Sequence, residues 1–145
     1  MNSKTPKQDL SPLEKAIVSL EQLRLRVADE VFMAAQDNVV RLGLQAGLIQ
    51  NLEFTFELCW KAMRRWLENN INPESVDGVT RRELFRLAAE NRLIEDVEEW
   101  MTYYAARNQA SHQYDSAITE DILSLMADFA RAAQRLLNNL KARND

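Results

Sequence analysis

The sequence predicts an all-α protein, an antiparallel bundle of about five helices with a four-helix up-and-down core. Three observations carry that expectation. Apolar residues recur at spacings of three and four along most of the chain. Helix-start signatures precede two of the periodic stretches. Among 145 residues only three are glycine and three are proline, too few for the many turns of a β-sandwich or barrel. No run alternates apolar and polar residues as a half-buried strand does.

The first ten residues are polar and read as a disordered segment, leaving residues 11–145 as one domain. Ser11-Pro12-Leu13-Glu14 starts the first helix, with Ser11 as cap, Pro12 at the first helical position and Glu14 closing a capping box. Leu13, Ala16, Ile17, Leu20, Leu23, Val27 and Val31 then form one apolar stripe. Asp37 or Asn38 caps a second, long helix that runs to about Asn69. Gly43 and Gly47 lie on one of its faces, where they mark either a close approach of another helix or a break. Residues 69–78 form a loop, with Asn, Gly and a central Pro73. Thr80-Arg81-Arg82-Glu83 is a second capping box, opening a short helix to about Asn91. A fourth helix spans about 95–109, its first turn holding Glu95, Asp96, Glu98 and Glu99 where the helix dipole favours acids. Thr119 starts the last helix, whose apolar face is Ile122, Leu125, Met126, Phe129, Ala133, Leu136, Leu137 and Leu140.

Composition narrows the function classes. With 46% hydrophobic and 28% charged residues the chain is an ordinary soluble protein. One cysteine, Cys59, excludes an internal disulfide or a multi-cysteine metal site. The start MNSKTPKQDLSP lacks the apolar stretch of a signal peptide, and no apolar run approaches the roughly 18 residues of a membrane span. A cytoplasmic location without a membrane partner is expected. The net charge of −4 argues against indiscriminate nucleic-acid binding. Residues 61–94 nevertheless carry seven basic and five acidic side chains in an otherwise acidic chain. Arg64, Arg65, Arg81, Arg82 and Arg86 are therefore candidates for contact with an RNA backbone or an acidic partner, against the ordinary alternative of a solvated helix face.

No phosphate loop, GxSxG, HExxH or paired-cysteine spacing is present, and no metal or cofactor is expected. Histidine chemistry would have to use His112, the one histidine of the chain. It sits in Arg107-Asn108-Gln109-Ala110-Ser111-His112-Gln113-Tyr114-Asp115, between two amphipathic helices. A fixed cation, an imidazole, a phenol and a carboxylate within nine residues suit metal-free RNA cleavage. His112 would move the proton of an attacking 2′-hydroxyl and Arg107 would stabilise the phosphorane, with Asn108, Ser111 and Asp115 in support. On an unbroken helix Arg107 and His112 would point about 140° apart, so they meet only if the helix ends between them or two chains face each other. One histidine per chain is half of a two-proton mechanism, and a dimer would supply the other half.

In and just after the segment Phe54-Thr55-Phe56-Glu57-Leu58-Cys59-Trp60-Lys61, the side chains of Phe56, Cys59, Trp60 and Met63 read as core packing at helical spacing, with Glu57 and Lys61 an ordinary i,i+4 pair. Trp100, Tyr103 and Tyr104 read as packing too. Cys59 reads as a buried small hydrophobe and not a nucleophile.

Three segments together carry a family resemblance: FTFELCWKAMRRWLE (54–68), TRRELFRLAAENRLI (80–94) and RNQASHQYD (107–115). The chain resembles the nucleotidyltransferase substrate-binding family, the HepT-like branch of the all-α HEPN superfamily. Arg81 departs from it, standing where the family usually has proline, as does Ala88-Ala89 in place of Ala-Phe. The resemblance implies a homodimeric bundle partnered with a minimal nucleotidyltransferase of the MNT type, in a toxin–antitoxin pair. Arg107 and His112 would match the catalytic pair of an endoribonuclease toxin, and Tyr114 the tyrosine that the partner modifies with AMP. An alternative role for such proteins is a non-catalytic subunit that presents a nucleotide or other substrate to the transferase. A helical interaction protein with a vestigial motif is the third reading.

Overall fold

A computed structural model describes residues 7–112 and 115–143. Seven α-helices and two 3-10 turns make up these residues, with no strand among them. The helices are α1 (Ser11–Ala28), α2 (Glu30–Ala34), α3 (Asn38–Asn70), α4 (Arg81–Glu90), α5 (Val97–Gln109), α6 (Ser116–Ser124) and α7 (Met126–Ala142). The 3-10 turns are Pro73–Val76, inside the expected loop, and Ala110–His112.

Local hydrogen bonds decide where most helices begin. Asp37 Oδ1 accepts from the Val40 amide at 2.9 Å and opens α3. Thr80 Oγ1 accepts from the Glu83 amide at 3.1 Å and opens α4. Asp96 takes the Glu98 and Glu99 amides and opens α5. Such caps satisfy amides that have no partner within the helix, and each stabilises its helix by about 1 kcal/mol.

Four expectations are corrected. Ser11 does not cap α1; Leu10 holds that position without a side-chain bond, and Ser11 is the first helical residue, its amide given to Asp9 Oδ1. The first apolar stripe ends early, because Asp29 caps α2 through the Phe32 amide and turns the chain away, leaving Val31 83% exposed. The last helix starts at Ser116 instead of Thr119, capped by Asp115, and breaks at Leu125 into α6 and α7. Helix α3 runs unbroken through Gly43 and Gly47. A Cβ at Gly47 would meet Leu23 at 3.5 Å, an ordinary contact, and one at Gly43 would meet nothing within 4 Å. Neither glycine marks a break or an unusually close helix.

The long helices run up and down. Gln8 Nε2 donates to Ala62 O near the end of α3, whereas Leu23 packs beside Gly47 near its start, so α1 and α3 are antiparallel. Arg107 at the end of α5 pairs with Glu57 in the middle of α3, while Phe56 packs its ring on Trp100 and Tyr104 further back along α5. Helix α7 returns beside α5, with Arg135 near Glu99 and Phe129 against Tyr103. Its last turn meets the ends of α1 and α3, through Lys141–Glu14 and through Trp66 Nε1 donating to Arg143 O. Residues 7–10, expected to be disordered, lie against this end, with Leu10 buried. Residues 1–6 fall outside the described residues.

Phe56 is the hub of the core. Its fully buried ring lies 6.0–6.4 Å from those of Phe85, Trp100, Tyr104 and Phe129, so one side chain from α3 touches α4, α5 and α7. Cys59, one turn on, is completely buried, and burial pushes its thiol far above the ordinary range. A neutral, sealed thiol does not react. Native protein at pH 8 is expected to take up no iodoacetamide on the timescale that modifies it fully in guanidinium. Rapid native labelling, read by intact mass, would contradict this packing.

Candidate functional site

The candidate residues gather where α5 ends. Arg107 lies in its last turn, where the carbonyl end of the helix dipole favours a cation. Helix α5 stops at Gln109, and Ala110–His112 continue as a 3-10 turn. The break expected between Arg107 and His112 is present. It does not by itself aim both groups at one point, since a 3-10 turn advances about 120° per residue and the two side chains still leave the axis on widely separated headings.

His112 is exposed, not sealed among apolar side chains. Its carbonyl accepts from the Asp115 amide at 3.0 Å, pinning the turn from beyond. Asn108 and Ser111 are also exposed. Ser111 lines a groove of about 500 Å³ with Leu42, Gln45, Ala46, Ile49, Ala110 and Thr119. Asp115 is engaged in capping, since its Oδ1 takes the amides of Ala117 and Ile118 at the start of α6. Tyr114 lies outside the described residues.

Arg107 points toward α3. Its Nη2 lies 3.3 Å from Glu57 Oε1, and its side chain remains 37% exposed. Its Nε is buried, with no hydrogen bond among the described residues. The other oxygen of Glu57, Oε2, accepts from Trp60 Nε1 at 3.1 Å. The Arg81 guanidinium lies 3.4 Å above the Trp60 ring. Lys61, the expected helical partner of Glu57, stays 4.0 Å away and well exposed. Glu57 is thus the residue that sequence reasoning missed. Its spacing from Trp60 was visible, but its partner lies fifty positions away on another helix.

The five basic candidates are not one free surface. Arg64 pairs with Glu68 at 3.7 Å and Arg82 with Glu98 across helices. Arg81 is committed to Trp60, while Arg65 and Arg86 are exposed. Among the described residues no three His, Cys, Asp or Glu side chains gather as a metal site would require. No described helix is long and apolar enough to cross a membrane.

Residues 8–142 match the family described as nucleotidyltransferase substrate binding protein like. The chain belongs to this family. A Haemophilus influenzae protein named "Probable ribonuclease HepT" is 33% identical to it over 141 residues, 97% of each chain. A solved Haemophilus influenzae structure, described as the fold of a substrate-binding domain of a nucleotidyltransferase, superposes with a TM-score of 0.88 at 32% identity. That match covers 92% of this chain and 99% of the other. A solved Thermus thermophilus protein follows at TM-score 0.70 and 26% identity, covering 88% of this chain and 98% of its own. The all-helical bundle is therefore the family's fold, and this chain is HepT-like.

Proposed function

We propose that this chain is a metal-independent endoribonuclease of the HEPN kind. It acts as a homodimer and is controlled by a minimal nucleotidyltransferase as a cytoplasmic toxin–antitoxin partner. His112 of one copy takes the proton from a ribose 2′-hydroxyl while the bond from that oxygen to phosphorus forms. The bond from phosphorus to the 5′-oxygen breaks, and the second copy's imidazolium protonates the leaving oxygen. Arg107 faces the charge that builds on the phosphorane.

The placement of one exposed imidazole carries this proposal, because His112 closes the turn that ends the helix of Arg107. The relative named as a ribonuclease supports it. Dimerisation draws support from the same end of the bundle, where Leu25, Val39 and Leu42 are each more than half exposed. Val39 and Leu42 stand three positions apart on α3, and adjacent exposed apolar side chains of this kind mark interaction surfaces. Tyr114 is the proposed acceptor of AMP, a bulky anion that would block a phosphate site beside Arg107.

Purified protein is expected to cut a mixed-sequence RNA in the presence of EDTA, leaving 2′,3′-cyclic phosphate and 5′-hydroxyl ends. Pre-incubation with the partner transferase and ATP should add AMP and stop cleavage, and Tyr114→Phe should escape both effects. Intact RNA after prolonged incubation would favour the second reading, a non-catalytic subunit presenting a nucleotide to the transferase. The family description and the Haemophilus influenzae structure favour that role, and it predicts a gain in transferase rate on mixing.

A further inference from the structure

We propose that Glu57 is a positioning residue for Arg107, held in place by Trp60 and Arg81; this rests on the nuclease proposal for its consequence in catalysis. Three links join three helices. The Arg81 guanidinium of α4 covers the Trp60 ring of α3 at 3.4 Å, a cation–π contact that limits the motion of the indole. The indole Nε1 donates to Glu57 Oε2 at 3.1 Å. Glu57 Oε1 then lies 3.3 Å from Arg107 Nη2 on α5.

Each carboxylate oxygen has a different partner, so the orientation of Glu57 is set by two contacts and not by its rotamer alone. Lys61, at 4.0 Å and 63% exposed, is the loosest neighbour, which argues against a simple helix-surface pair. An arginine that must meet a transient charge works best when its long side chain is already oriented, and groups one step behind a reacting residue commonly do this. Arg81 acts through Trp60 and does not touch RNA.

The experiment compares wild type, Glu57→Gln, Arg107→Ala, the double variant and Arg81→Ala. Glu57→Gln keeps an oxygen for Trp60 Nε1 but removes the charge facing Arg107. Single-turnover cleavage of a fluorescein-labelled mixed-sequence RNA should fall about ten- to a hundredfold in Glu57→Gln, with the Kd for that RNA within twofold of wild type. In NMR the Arg107 Nε–H signal should change from rigid to mobile. Adding Glu57→Gln to Arg107→Ala should cause no further loss. Arg81→Ala should lower cleavage severalfold while leaving the salt dependence of RNA binding unchanged. A rigid Arg107 in Glu57→Gln, or a further loss on top of Arg107→Ala, would overturn the positioning role. Should wild type cleave no RNA at all, the nuclease proposal falls, and the mobility of Arg107 alone decides the role of Glu57.

Discussion

On the proposed mechanism, His112→Ala is expected to abolish RNA cleavage and to leave the bundle standing. Acid–base catalysis by a placed imidazole contributes about 10²- to 10⁴-fold, and a homodimer carrying the substitution loses both the acid and the base. The side chain is exposed at the end of a 3-10 turn, where substitutions change stability by about 0.5 kcal/mol or less. The helical circular dichroism and the melting temperature should therefore match wild type. Arg107→Ala should be comparably inactive, through loss of the charge that meets the phosphorane. Mixing the two inactive proteins adds a sharper measurement. Because the proposed step uses the imidazoles of both copies, a mixed dimer carries one His112 and lacks its acid or its base, so verified mixed dimers should stay inactive. Undiminished cleavage by His112→Ala would rule out the histidine mechanism. Activity regained in verified mixed dimers would rule out the two-histidine step.

Phe56→Ala is expected to cost about 3–5 kcal/mol, the usual cost of removing a fully buried aromatic ring. The ring packs on four other aromatic rings from three helices. Edge-on and offset contacts of this kind add stabilisation beyond the buried area. The cavity would lie at the junction of α3, α4, α5 and α7, where no single helix can move to fill it without losing contacts to the others. In a chain of this size the melting temperature should fall by on the order of 10 °C or more. Phe54→Ala is the control: two residues away, that ring is 60% exposed, so its loss should change the melting temperature by only a degree or two. Equal effects from both substitutions, read by thermal melting, would show that Phe56 does not organise the core.

The same pair of phenylalanines shows why periodicity was a good guide here. Phe56, Cys59 and Met63 recur at three and four, and all are sealed from solvent. Trp60 shares that spacing but lies half-buried at the edge of the face, where its indole N–H is free to serve Glu57. Asp37 and Thr80 were legible as caps because each bond reaches only three residues ahead. Helix ends were less legible where two caps competed. Asp115 prevails over Thr119, and Asp29 opens a separate turn where the apolar stripe continues in sequence. Both alternatives satisfy local rules, so the order of residues within a few positions does not choose between them.

The amino-acid order alone was enough for an all-helical bundle and its main apolar faces, because these rest on spacings within a few turns of helix, and the resemblance of three segments was enough for the family. Folding in three dimensions settled what lies across those turns. Glu57 meets Arg107 only because α3 and α5 run antiparallel side by side; Arg81 settles on Trp60 and Arg82 on Glu98 only because α4 packs between them. Contacts between residues far apart in the chain leave no periodic trace in it, and only the packed helices bring such pairs together.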